Sequence, residues 1–263
     1  MPARRLAALA VAGAVGAAWT AGCGGDAAPR GSETDAPSRP ATRQREGPIR
    51  LDAGERGEIS WRARLTRPVP ARAAPRADAP AWGELPERTP YSGRPAELLV
   101  TGAYRDTAGA EWLRVLLAMR PSGSTAWIPR SAVRLSATRV RVRVDLSARR
   151  LDLLRDGHVE ASFPAGVGRP DYPTPVGTFA VEDVVPTTPR WRRAYGRYVL
   201  TLTAYSPVLT SFMGGEGQSA IHGSGSLGRV GRASSFGCVV LADGALATLY
   251  RTARPGTPVE IRP

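Results

Sequence analysis

The chain has 263 residues, a formal net charge of +13 at pH 7 and 42% hydrophobic residues, enough apolar material for one or two globular cores. Its 36 basic residues are all arginine, and a charge of this size favours anionic polymers or membrane surfaces as neighbours. Two cysteines and two histidines, widely scattered, argue against a metal site, and no aromatic-and-basic motif supports nucleic-acid binding.

At the start of the chain, Arg4 and Arg5 precede an apolar stretch from Leu6 to Trp19. That length is short for a membrane span and suits a secretory signal. It ends in "TAGC", with Ala21 and Gly22 directly before Cys23. This resembles the lipobox of bacterial lipoproteins. The resemblance implies a signal segment over 1–22, a lipid on Cys23 and an extracytoplasmic protein held at the membrane of the cell envelope. An ordinary signal peptide cut near the same place is the alternative. With Cys23 lipidated, Cys238 has no intramolecular disulfide partner, and an unpaired thiol in an oxidising compartment is a candidate reactive group.

Residues 23–85 read as a flexible tether. Up to about Arg56 they are rich in Gly, Pro, Ser and charge, with little to bury. Trp61 and Trp82 flank "RPVPARAAPRADAP", which reads as further linker. From Pro86 short strands are expected: "AELLVTGAY", "EWLRVLLAM" and "TAWIPRSAV", separated by turn residues. Such spacing predicts a small, bent β-barrel over 86–137. The run from Glu111 to Leu135 resembles bacterial SH3-like domains, with Trp112 and Trp127 as core residues or, alternatively, groove residues.

A second domain is expected over 138–263. Val140, Val142 and Val144 alternate as in a half-buried strand, and "RDG" turns a hairpin between "RRLDLL" and "HVEASFPA". Further strands follow in "GTFAVEDVV", "YVLTLTAY", "SAIHGS" and "PVEIRP". Leu246, Leu249 and Tyr250 fall at helical spacing in "DGALATLYRTA".

His158, beside the hairpin turn, reads as a surface residue. His222 ends a strand and enters a glycine-rich loop that leads to Cys238. Each taken alone reads as structural. Together they suit nucleophilic catalysis, because a thiol needs a nearby base or positive charge to react near neutral pH. A tight turn at Gly237 would aim backbone N–H groups at an oxyanion. The loop holds no carboxylate, so a backbone carbonyl near Gly223 is expected to hold the imidazole.

Five ordered stretches resemble the YkuD family of L,D-transpeptidase catalytic domains: the opening hairpin, "TPVGTF" (Thr174 to Phe179), "AIHGS", "SSFGCV" and "PGTPVEI". The resemblance implies a mainly β fold, a YkuD-like β-sandwich with little helix beside the SH3-like β-barrel. It implies a cysteine acyl-enzyme formed on a peptidoglycan stem peptide, release of D-alanine, and a 3–3 cross-link, with no cofactor. Cys238 would be the nucleophile and His222 the general base. Gly237, Gly223 and Ser235 would serve the oxyanion or orient the pair. Arg232, Arg229 and Tyr205 are candidate substrate contacts, and anionic wall polymers are candidate partners. Water as acceptor would give an L,D-carboxypeptidase. A relative that binds wall peptide without turnover is a third reading, because Val240 stands where the family usually carries arginine and Phe236 where it carries a polar residue.

Overall fold

The computed structural model describes residues 45–212, 215–224 and 227–263. The signal segment and Cys23 lie outside the described residues. Strands dominate from Gly47 to Arg262, in two large sheets, and no described helix is long and apolar enough to cross a membrane.

The first sheet contains β1 (Gly47–Ile49), β2 (Ser60–Leu65), β3 (Val69–Arg72), β4 (Ala81–Leu85), β5 (Glu97–Arg105), β6 (Glu111–Leu116), β7 (Thr125–Pro129) and β8 (Val133–Thr138). Its order is β4-β3-β7-β6-β5-β2-β8, with β1 added on β5. This corrects the expected tether: ordered sheet begins at Gly47, and residues 60–85 supply three strands. The prolines that argued against structure sit where they cost least. Pro70 lies at a register shift between β3 and the edge strand β4, where a missing N–H leaves little of the ladder unpaired. Val69 and Ala71 are nevertheless buried, and Ala63 and Leu65 join them in one core. Trp112 is also buried, with its indole N–H donating to Asp106.

The second sheet follows with β9 (Val140–Asp145), β10 (Arg150–Arg155), β11 (His158–Pro164), β12 (Val167–Gly168), β13 (Gly177–Pro186), α1 (Arg192–Tyr195), β14 (Tyr198–Tyr205), β15 (Gln218–His222), β16 (Ala233–Ser235), β17 (Val239–Val240), α2 (Asp243–Thr252) and β18 (Pro258–Arg262). Its strand order is β11-β10-β9-β18-β13-β14-β15-β17, and β12 pairs separately with β16. The "RDG" turn joins β10 to β11, with both Asp156 (φ 53°) and Gly157 (φ 77°) left-handed, as a two-residue hairpin turn requires. Val142 and Val144 are fully buried. Helix α2 buries Leu246 and Leu249 against the same core, each contributing about 1.5–3 kcal/mol, which fixes the chain leaving β17.

The two sheets share a seam within one compact unit. Leu99, Leu116 and Ala180 form a small apolar cluster across it. Beside it the buried Asp183 carboxylate accepts from the Tyr91 and Ser92 amides at 3.1 and 2.7 Å and from the Ser92 hydroxyl.

Candidate active site

β15 and β17 run parallel, with Ile221 opposite Val239 and His222 opposite Val240. Paired residues point to the same face of a sheet, and Cys238 lies two residues before Val240, so it shares that face. Ile221, Val239 and Leu241 turn the other way into the core. The alternation thus brings the imidazole and the thiol out together.

His222 is buried, and its Nδ1 lies 2.5 Å from the Gly223 carbonyl. A carbonyl only accepts, so Nδ1 carries the proton and Nε2 keeps its lone pair. Burial pushes the imidazole down to about 4; the Gly223 carbonyl opposes this shift and the Arg229 charge adds to it. Cys238 is partly exposed. Burial of the sulfur pushes its thiol up, against the Ala220 amide and Arg229, which pull it down. The resting pair is therefore neutral imidazole and neutral thiol. Arg229 is the cation whose charge acts on both groups.

Gly223 is required at its position by packing. A Cβ there would lie 2.7 Å from Asp243 Oδ1 and 2.9 Å from the Gly196 Cα, while its amide donates to the Tyr195 carbonyl at 2.8 Å. Gly223→Ala is expected to destabilise the fold by about 1–3 kcal/mol, the usual cost of overpacking. Urea denaturation checks this, and a change below the error of the fit would show that the helix α2 contact gives way freely.

The turn before Cys238 is held by Ser235. Its hydroxyl donates to the Cys238 carbonyl at 2.6 Å and accepts from the Gly237 amide at 3.2 Å, with Gly237 at φ 106°. In the resting structure the Gly237 N–H, a candidate oxyanion donor, is engaged by the Ser235 hydroxyl. Val240 is fully buried and exchanges two hydrogen bonds with Gly166, at 2.7 and 2.8 Å. A Cβ on Gly166 would lie 3.2 Å from the Val240 Cβ and 2.2 Å from the Arg229 carbonyl oxygen, so this close pairing needs glycine at 166.

Two other candidate substrate contacts have different surroundings. Tyr205 is buried and its hydroxyl donates to the Ala118 carbonyl in the β6–β7 connection, because the seam with the first sheet claims the end of β14. Arg232 has an exposed side chain and is not among the charges acting on Cys238 or His222.

Residues that the sequence did not single out complete the surroundings. Tyr195, on the short helix α1, meets the His222 ring edge-on at 5.1 Å, and burial and Cys238 raise its phenol. Phe236 contacts Tyr172 at 5.1 Å and Phe212 at 5.2 Å. The Arg169 guanidinium lies over both Tyr172 and Phe236, at 4.5 and 4.4 Å, a favourable cation–π arrangement. The only local signal was the density of aromatic residues and arginine in "GRPDYPTP" and "WRRAYGRY".

Residues 139–261 match the family model described as YkuD, the L,D-transpeptidase catalytic domain. Among solved structures, L,D-transpeptidase 3 from Mycobacterium tuberculosis is 14% identical, covering 67% of this chain and 93% of its own, with a TM-score of 0.40. An L,D-transpeptidase from Mycobacterium smegmatis is 18% identical, covering 76% and 99%, with a TM-score of 0.37. A mutant of the Enterococcus faecium L,D-transpeptidase is 20% identical, covering 47% and 49%, with a TM-score of 0.37. The chain spans about half the length of that Enterococcus faecium protein. No curated protein matches the chain.

Proposed function

We propose, from the YkuD-type catalytic domain over residues 139–261, that the chain is a cell-envelope peptidoglycan L,D-transpeptidase acting through a Cys238 thioester. The observation that carries the reading is the β15–β17 pairing, which presents Cys238 and a His222 locked in one tautomer on a common face.

In the proposed reaction Sγ of Cys238 attacks the carbonyl after the third residue of a tetrapeptide stem, and its proton passes to Nε2 of His222. The tetrahedral oxyanion takes the Cys238 N–H. The Gly237 N–H joins it once substrate displaces its bond to Ser235. Collapse breaks the C–N bond, and Nε2 returns the proton to the departing D-alanine amine. An amine of a second stem then attacks the thioester. His222 accepts that amine's proton and delivers it to the leaving Sγ, which restores the thiol. Arg229 supports the developing thiolate, the part that arginine at position 240 would otherwise play. Lipid on Cys23, and an SH3-like first sheet facing anionic wall polymers, belong to the same proposal.

Intact mass measurement of the full chain incubated with a peptidoglycan tetrapeptide fragment tests it. The expected result is a covalent adduct on Cys238 with D-alanine released, both absent in Cys238→Ala. A cross-linked product then assigns a transferase, and free tripeptide assigns a carboxypeptidase. Folded protein that gives neither adduct nor D-alanine refutes the reading and leaves a wall-binding relative.

A further inference from the structure

Between the end of β14 and the start of β15, the described residues 206–212 and 215–217 form an excursion from the sheet. Its base is closed by the Ser206 amide donating to the Gly217 carbonyl at 2.8 Å. Its tip is pinched by reciprocal hydrogen bonds between Phe212 and Gly215, at 2.8 and 2.9 Å. From that tip the Phe212 ring reaches Phe236, two residues before Cys238 in the chain. The excursion thus carries an aromatic side chain to the shoulder of the nucleophile turn.

What holds the excursion comes from the other sheet. The Arg120 guanidinium, in the β6–β7 connection, donates to three backbone carbonyls: Ser206 at 2.9 Å, Leu209 at 2.6 Å and Glu216 at 2.8 Å. It also lies over the Tyr205 ring at 5.2 Å. Ser122 adds a second point of attachment, its hydroxyl accepting from the Tyr205 amide at 2.8 Å. Charge-assisted bonds to carbonyls are among the stronger kinds, and a planar five-donor fork can serve three acceptors where an ammonium cannot hold the same geometry. These bonds tie both legs of the excursion to one guanidinium.

We infer that Arg120 is a positioning residue for the substrate site: by fastening the Ser206–Gly217 segment it sets Phe212 against Phe236 and so builds the wall beside Cys238. The first sheet is then part of the active site and not only an appended module. The inference rests on the function proposed above for that site. Arg120 touches no reacting atom; it acts through Phe212. Substrate binding should suffer more than chemistry when it is lost.

The test compares the full chain with Arg120→Met and Arg120→Lys in three measurements. Hydrogen exchange of the amides over 206–217 is expected to accelerate about tenfold or more in Arg120→Met, as local opening becomes easier, while exchange in β13 and β14 holds. KM for the tetrapeptide is expected to rise about tenfold, with kcat changing far less, and Arg120→Lys to fall between. Alkylation of Cys238 by iodoacetamide is expected to hold, while alkylation by the bulkier N-phenylmaleimide changes. Unaltered exchange over 206–217 overturns the clamp. Altered exchange with unaltered KM overturns the positioning role. If the wild-type chain gives no acyl adduct, the proposed function fails on its own account. The maleimide-to-iodoacetamide ratio then decides the Arg120 inference: a changed ratio upholds it and an unchanged one overturns it.

Discussion

Replacing His222 with alanine is expected to lower kcat/KM by about 10²–10⁴-fold, the usual worth of a positioned acid–base group. The same substitution should change how stability depends on pH. In the folded chain the imidazole is held at about 4, against 6.5 for the free group. Between those values the unfolded chain binds more protons than the folded one, so stability rises with pH. The contribution is complete above about 6.5 and lost by about 4; a gap of that size corresponds to about 3 kcal/mol. Urea denaturation at several pH values, for wild type and His222→Ala side by side, isolates this term, because other groups titrate alike in both. Glu182 makes the comparison necessary: burial raises its carboxyl in the fold, which gives the opposite slope. The same depressed imidazole predicts that kcat/KM keeps its acid limb near pH 4 and not near 6.5. An acid limb near 6.5, or a stability difference between the two proteins that does not vary with pH, would show that His222 is not held neutral by burial.

The parts of this molecule that were legible in its sequence are those decided locally. Val142 and Val144 alternate because one face of β9 is buried, Asp156-Gly157 allows left-handed backbone, and Leu246 and Leu249 repeat at helical spacing. The pairing of His222 with Cys238 as candidates came from there being only two histidines and a glycine-rich loop between the two residues. The carbonyl that orients the imidazole was readable too, since no carboxylate lies in the loop. Contacts between distant segments were not. Tyr205 looked like a site residue on the strand leading to the site, but its hydroxyl is spent on Ala118, 87 residues earlier. Strands β2 to β4 were hidden because arginine and proline interrupt short apolar patterns whose partners, such as β5 and β7, come later in the chain. Arg229 could be suggested from its loop, but its effect on both His222 and Cys238 depends on a fold-back that no local pattern encodes. The Gly237 amide, expected free, is engaged by Ser235 because a tight turn satisfies its own donors first.

Asp183 is the clearest case of a residue with no sequence signal and a large expected effect. It sits in "VEDVV", where a carboxylate in mid-strand reads as solvent-facing, yet it is fully buried. Four donors converge on it: the amides of Tyr91, Ser92 and Val184, and the Ser92 hydroxyl. Three of the four come from the Thr89–Arg94 turn between β4 and β5, so this one side chain joins the two halves alongside Arg120, Ser122 and Tyr205. Asp183→Ala removes the acceptor and leaves the buried Val184 amide and the part-buried Tyr91 and Ser92 donors without it; a buried donor left unpaired costs about 1–3 kcal/mol. The expected loss is about 3–5 kcal/mol, the range for breaking a buried charged network by deleting one partner. Asp183→Asn keeps the shape but turns an NH2 toward donors that need an acceptor, and is expected to recover only part of the loss. Because the damage lies at the seam, unfolding of Asp183→Ala should also lose cooperativity, with a lower denaturant slope or two separated transitions. A single sharp transition within about 1 kcal/mol of wild type would mean that the other contacts across the seam, the Leu99–Leu116–Ala180 cluster and the bonds of Arg120, Ser122 and Tyr205, hold the sheets together without Asp183. In that event the seam does not depend on Asp183, and Arg120 holds the Phe212 segment from a support that the remaining contacts keep in place.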